Sequence, residues 1–330
     1  MERLNWKENN VFVTGATGFI GSHLTIALNT LGANVVILKR DYNKNSLLEL
    51  TGEIKNVNIA HGELEDFDSI YRLLSEYEID IIFHLGAQAI ETTSVVNPKK
   101  TFESNIKGTW NVLEASRIIS YENNRIKKII VATSDKSYGP SEKPYIEEMP
   151  LQGETPYDVS KSCADLISQS YFKTYGLPIC ISRLGNVFGP GDLNFNRIVH
   201  GTIKSIIENK NIVLRSDGKH IREYFYVKDA ANSYIILAEN MERKEILGNA
   251  FNLSSGEKMT VLEVVEKIKK SMKSDKIPKI MDTTKNEIRI QTLSTEKARK
   301  MLGWKPSYTF DKALPETIEW YKNFLSAENN

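Results

Sequence analysis

Short apolar runs alternate with stretches of helical spacing through the first half of the chain. Residues 11–14 form one run, which ends in a glycine-rich turn. Residues 20–31 then carry Ile20, Leu24, Leu28 and Leu31 at helical spacing and stop at Gly32, a residue suited to a helix C-terminus. Further apolar runs lie at 35–38, 57–60, 79–85, 129–133 and 179–184, with helical patterns at 68–77, 102–119 and 159–175. Runs this short and this apolar fit strands covered on both faces by helices. The alternation predicts an α/β fold built on a doubly wound parallel sheet.

After about residue 185 the rhythm changes. Gly189-Pro190-Gly191-Asp192 signals a turn. A helix over 198–209, a short strand at 224–227 and a helix to about 241 follow, then mixed pieces. We expect a first domain over 1–185, joined by return segments at about 222–253, and a smaller C-terminal lobe over 186–330. No Pro/Ser-rich linker, internal repeat or low-complexity stretch divides them.

Composition narrows the function classes. Lys+Arg is 43 and Asp+Glu is 42, a net charge of +1 with the charges interspersed, which argues against a nucleic-acid polymer as partner. No apolar run approaches the roughly 18 residues that span a membrane, and the first residues lack the apolar core of a secretory signal. Cys163 and Cys180 form no C-x-x-C pair, so a reducing cytoplasm is expected. The 5 His are scattered, and no metal site is expected.

Two local motifs carry chemistry. Gly15-Ala16-Thr17-Gly18-Phe19-Ile20-Gly21 stands between the first strand and the first helix. Glycines there permit a tight turn and close approach of a pyrophosphate to the helix N-terminus. The spacing differs by one residue from G-x-G-x-x-G, and its position after a strand is what gives it weight. At the end of the second strand, Arg40 would suit the 2′-phosphate of NADP and Asp41 the ribose hydroxyls of NAD, so NAD and NADP stay open. In Tyr157-Asp158-Val159-Ser160-Lys161, Tyr and Lys lie one helical turn apart. An ammonium at that distance favours the phenolate and would make Tyr157 a base near neutral pH. Y-x-x-x-K is common on helices; a dinucleotide loop upstream makes it informative.

Together these motifs resemble the extended short-chain dehydrogenases/reductases, the nucleotide-sugar epimerases and dehydratases, over nearly the whole chain. The resemblance implies a Rossmann sheet, a C-terminal lobe that binds a nucleotide sugar, bound NAD (NADP as the alternative) and a homodimer built on the helices at 102–119 and 159–175. It extends cofactor contacts to Glu63 and Leu64, where the family usually has Asp at 63, and to Leu85 and Ala87. It places substrate contacts at Gln88, Asn105, Asn186, Asn194, Arg197, Arg222 and Arg289. Leu302-Gly303-Trp304-Lys305-Pro306 matches the family's C-terminal signature.

Thr133-Ser134-Asp135-Lys136 discriminates within the family. Epimerases usually carry small hydroxyl residues here, whereas 4,6-dehydratases need an acid and a base to remove water across C5–C6. Asp-Lys in place of Asp-Glu is similar to the enzymes acting on CDP-glucose. The resemblance then assigns Tyr157 as C4 base, Ser134 as its hydrogen-bond partner and Lys161 as tuner of Tyr157 and holder of the cofactor ribose. Asp135 becomes the acid at C6, and Lys136, or a base it positions, acts at C5. A C4-epimerase, a GDP-, UDP- or dTDP-sugar dehydratase, and a non-catalytic dinucleotide-binding regulator are the alternatives.

Overall fold

The computed structural model describes residues 4–283 and 288–328. In the strands of the first half, alternate side chains serve two helix layers. Val11, Val13, Val35 and Ile37 enter one core with Leu24 and Leu28 of the helix Phe19–Thr30. Phe12, Val36 and Leu38 enter the other with Ile70, Leu73 and Leu74 of the helix Phe67–Glu76. This two-sided alternation is what a sheet buried on both faces requires.

The strands are β1 (Asn10–Thr14), β2 (Asn34–Lys39), β3 (Asn58–His61), β4 (Ile81–His84), β5 (Lys128–Ser134), β6 (Ile179–Leu184), β7 (Asn186–Phe188), β8 (Val213–Leu214), β9 (Ile221–Tyr226), β10 (Ala250–Leu253), β11 (Lys258–Thr260), β12 (Lys279–Ile280) and β13 (Ile290–Gln291). Seven make one all-parallel sheet, ordered β10-β6-β5-β4-β1-β2-β3. The chain direction along the sheet reverses between β1 and β4, so their carboxyl ends open the crevice where such sheets take ligands. In the C-terminal part, β9 pairs with β7, β11 and β13, while β8 pairs with β12.

Of the segment 222–253, the helix Val227–Asn240 packs on the helix Phe19–Thr30 and β10 joins the large sheet, whereas β9 lies in the second sheet. The helical stretch expected at 102–119 is interrupted. Pro98–Phe102 is α-helical, Glu103–Lys107 is a π turn, and Gly108–Asn123 continues as α-helix. The other helix of the site begins three residues earlier than its apolar spacing indicates. It runs Pro156–Tyr175, with Thr155 accepting from Asp158 N and Pro156 in the first turn, a start encoded by capping rather than by apolar residues. No helix of the described residues is long and apolar enough to cross a membrane.

Candidate active site

The glycine loop has the shape a pyrophosphate needs. Gly15 is left-handed (φ +72°), and a Cβ on it would stand 2.8 Å from Gly86 N. A Cβ on Gly21 would fall 2.0 Å from Gly15 O, so only glycine lets the first helical turn sit this close to the loop. Gly18 N donates to Gly15 O at 3.0 Å. No side chain caps the helix that Phe19 and Ile20 begin, which leaves its first N–H groups for an anion. Thr17 is half-buried at the mouth. These residues fit a dinucleotide.

The adenosine end is less selective. Arg40 Nε donates to Asp41 Oδ2 at 2.6 Å, and both side chains are exposed. Each neutralises the other, and Glu63 and Glu65 add negative field at Arg40. Leu64 packs its side chain against Gly86 and Gly108, and its carbonyl accepts from Asn111. Leu85 N donates to Thr14 O, which carries the chain through Gly86 and Ala87 to Gln88 over the crevice.

The chemical centre stands at the carboxyl ends of β5 and of its neighbours. Ser134 closes β5, and a 3-10 turn carries Asp135 and Lys136. Tyr157 and Lys161 face it from the helix Pro156–Tyr175. The Tyr157 hydroxyl stands near enough to Ser134 for the serine to lower its pKa. Ser134 Oγ also donates to Asp135 Oδ1 at 3.0 Å. Burial raises the Asp135 carboxyl to about 6, offset in part by Lys136, Ser134, Arg222 and Gln291. Near pH 6 such a group holds or releases a proton with little bias.

Lys161 alone does not draw the Tyr157 phenol down. Burial pushes the phenol up to about 12, and Asp135 and Asp158 push the same way, against Arg197 and Ser134. Lys161 is itself lowered to about 8 by burial, and its Nζ donates to Ala132 O at 3.0 Å. Beneath it, burial and then the Lys161 charge hold His84 down at about 3. A neutral imidazole there bridges Thr14 and Thr109 at 2.9 and 3.0 Å.

The other expected residues divide. Arg222 converges on the centre: it is buried and its charge acts on both Asp135 and Tyr145. Arg197 acts on Tyr157, and its Nη1 donates to Asp192 Oδ2 at 2.9 Å. Asn194 Oδ1 accepts from Asn196 N in the same turn, and Asn186 pairs β7 with β9. Lys136 is half-buried with Nζ 3.5 Å from Glu91 Oε2. Gln88 is half-buried at the crevice and its side chain bonds Ile90 O and Thr101.

Two residues sit differently from what the resemblance implies. Asn105 is buried with every amide group engaged: Oδ1 accepts from Gln88 N at 2.7 Å, and Nδ2 donates to Gln88 O and Ser160 Oγ. It holds the Gln88 loop against the helix of Tyr157 rather than presenting a group to the crevice. The Arg289 side chain is 72% exposed and pairs with Asp217 at 3.3 Å, and it is the Arg289 carbonyl that meets Arg222.

Sequence reasoning missed three buried neighbours of Asp135. Gln291 donates to it at 2.8 Å, and the electric field of Asp135 acts on Tyr145 and Glu223. No local spacing announces Gln291 and Tyr145, because β13 and the loop before the helix Pro156–Tyr175 reach Asp135 only through the tertiary fold; Glu223 follows the expected Arg222 on β9.

Known proteins share this architecture. A UDP-glucose 4-epimerase of Thermotoga maritima, solved with UDP-glucose, superposes with a TM-score of 0.86 at 26% identity, covering 96% of this chain and 99% of that one. A dTDP-glucose 4,6-dehydratase of Bacillus anthracis, solved with NAD, gives a TM-score of 0.82 at 25% identity over 96% and 97%. The CDP-glucose 4,6-dehydratase of Salmonella typhimurium is 28% identical over 98% of this chain and 93% of its own. The dTDP-glucose 4,6-dehydratase 1 of Escherichia coli is 29% identical over 94% and 92%. The family model for GDP-mannose 4,6 dehydratase matches residues 12–317. With a glycine loop at the sheet crevice and Ser134, Tyr157 and Lys161 facing it, the chain belongs to the GDP-mannose 4,6-dehydratase family of extended short-chain dehydrogenases/reductases, NAD-dependent epimerases and dehydratases of nucleotide sugars.

Proposed function

We propose that the protein is a nucleotide-sugar 4,6-dehydratase acting on CDP-glucose, with residues 1–185 as cofactor lobe and 186–330 as substrate lobe. The observation that carries this reading is the buried Asp135 carboxyl, raised to about 6 and one hydrogen bond from Ser134. A C4-epimerase has no use for an acid there. The choice of CDP rests on the Asp135-Lys136 pair and on the likeness to the Salmonella enzyme. Glycine loop, Ser134, Tyr157 and Lys161 intact together disfavour a non-catalytic regulator.

NAD, the ligand of the Bacillus anthracis relative, is the proposed cofactor, with NADP the alternative that Arg40 leaves open. A bound dinucleotide would supply the acceptor for the C4 hydride and the source of the hydride delivered to C6. Tyr157 takes the proton of the C4 hydroxyl, with Ser134 holding the same oxygen. Its phenol stands at about 12 in the protein alone, and the positive charge that an oxidised nicotinamide would supply favours the phenolate. Lys161 holds the cofactor ribose. The 4-keto group then acidifies C5–H. Lys136 removes that proton directly or through Glu91, and Asp135 protonates the departing C6 hydroxyl. Arg222, Arg197 and Asn186 meet the pyrophosphate, a role suited to guanidinium forks.

Trp110 and Tyr121, three turns apart on one side of the helix Gly108–Asn123, are exposed, apolar surface that supports a homodimer. Free Cys163 and Cys180 fit a reducing cytoplasm.

Incubation with CDP-, dTDP-, GDP- and UDP-hexoses should give the alkaline ultraviolet absorbance of a 4-keto sugar with CDP-glucose. Signal with another nucleotide would move the substrate. Silence with all of them would favour the regulator. Asp135→Asn should lower dehydration about 100-fold, the usual scale for loss of a general acid, and Lys136→Ala should suppress deuterium uptake at C5. Full dehydration by both variants would remove their assigned roles.

A further inference from the structure

Gln291 stands on β13, in register with Arg222 of β9, and is 1% exposed. Its Nε2 donates to Asp135 Oδ2 at 2.8 Å, across 156 positions of sequence. Ser134 Oγ donates to Oδ1. The carboxyl is therefore gripped at both oxygens, once from β5 and once from the second sheet. The Gln291 Oε1 atom is buried and meets no hydrogen-bond partner among the described residues. A buried amide oxygen in that condition is costly unless it is used at another stage.

We infer that Gln291 is the positioning residue of Asp135, holding its carboxyl in place in both protonation states while water is lost from the sugar. The inference rests on the dehydratase reading given above. In that step the C5–H electron pair becomes the C5–C6 π bond and its proton goes to the base at Lys136. The C6–O bond breaks, and its oxygen takes the proton of Asp135 to leave as water. Asp135 changes from carboxylic acid to carboxylate, so the hydrogen bond it needs reverses. The Nε2 donor suits the carboxylate. A half-turn of the amide presents Oε1, which suits the acid. A hydrocarbon serves neither state, and a carboxylate at 291 would oppose the ionised one.

The charged and titratable groups facing Asp135 are Lys136 on its own turn, Arg222 and Glu223 on β9, Tyr145, and Tyr157. All of them stay in place in Gln291→Met, which is close to the wild type in size. Loss of a donor to the carboxylate should raise the Asp135 titration by about one pH unit. The test is a carbon-13 carboxyl titration of aspartate-labelled protein with bound dinucleotide, the Asp135 signal being the one lost in Asp135→Asn. The basic limb of the pH–rate profile for dehydration should move up with it. Turnover should fall about 30-fold, with reduced dinucleotide building up at 340 nm because C4 oxidation persists. Gln291→Glu, a second variant of matched size, should move the titration the same way and further. Dehydration with neither the titration nor the pH limb moved overturns the inference. A moved titration in a protein that dehydrates no nucleotide hexose overturns the dehydratase reading and leaves the positioning role standing.

Discussion

On the dehydratase proposal, Tyr157→Phe should lower turnover by at least about 10³-fold and change dinucleotide affinity by less than about threefold, because that proposal puts the hydroxyl in proton transfer and not in binding. The substitution removes one oxygen from a tightly enclosed site. It takes away the hydroxyl on which Ser134 acts and leaves the Lys161–Ala132 bond intact. Stopped-flow absorbance at 340 nm separates the steps: the variant should show no reduced dinucleotide at all, since hydride cannot leave C4 while its hydroxyl keeps its proton. The phenol of the protein alone lies at about 12 because of burial. Wild-type activity at neutral pH would then require that the cationic cofactor bring Tyr157 down, not Lys161 alone. A variant that retains a tenth of the wild-type rate would mean that another group takes the proton.

Arg183→Met should destabilise the protein by about 3–5 kcal/mol, the range for breaking a buried ion pair from one side. Arg183 and Asp165 are 2% and 0% exposed at the side chain, and the guanidinium grips the carboxylate at both oxygens, at 2.8 and 3.0 Å. Nη1 also donates to Tyr138 OH at 2.7 Å and to Glu147 O at 3.1 Å. Methionine has the length and none of the donors. It would leave Asp165 ionised in the core with only Thr133 and Gln169 to answer it. Denaturant unfolding at fixed protein and cofactor concentration measures the loss. Adding Asp165→Leu should recover much of it, since an apolar pair strands no charge. A single variant within 1 kcal/mol of wild type would show that the pair can be opened without isolating Asp165. The network also fixes the turn of Asp135, because Tyr138 ends that turn and its hydroxyl donates to Asn252 Oδ1 of β10 at 2.7 Å.

What could be read in the sequence was local. The glycine loop is contiguous, and Tyr157 and Lys161 lie one helical turn apart, so their chemistry is written in neighbouring letters. The strands β1 to β6 of the large sheet announce themselves as short apolar runs, whereas the four residues of β10 do not. The pairings that complete the site are not local. Gln291 reaches Asp135 only because β13 pairs with β9, and a two-residue strand has no periodicity to detect. Asn105 illustrates a different limit. Its place next to the site is legible, but its use is not, because an Asn that faces a ligand and one that ties two loops look alike in sequence. Arg289 is expected at the substrate, and its neighbour Asp217 claims it. The helix at 102–119 reads as one because the π turn lies in its first residues, Glu103–Lys107, and the α-helix Gly108–Asn123 carries the rest of the pattern.

The return of β10 to the far side of β6 bears on how the molecule could be cut. The C-terminal part is not appended to a finished sheet, for the last strand of that sheet comes only after residues 186–249 have been made. β6 is buried along its whole length, and β10 covers its free edge over Ile181–Leu184. A fragment ending near residue 185 would therefore present a bare apolar strand edge to solvent, the kind of surface that recruits other chains. Nascent protein passes through that same condition on its way off the ribosome. The edge at β6 then needs shelter until about seventy further residues have emerged.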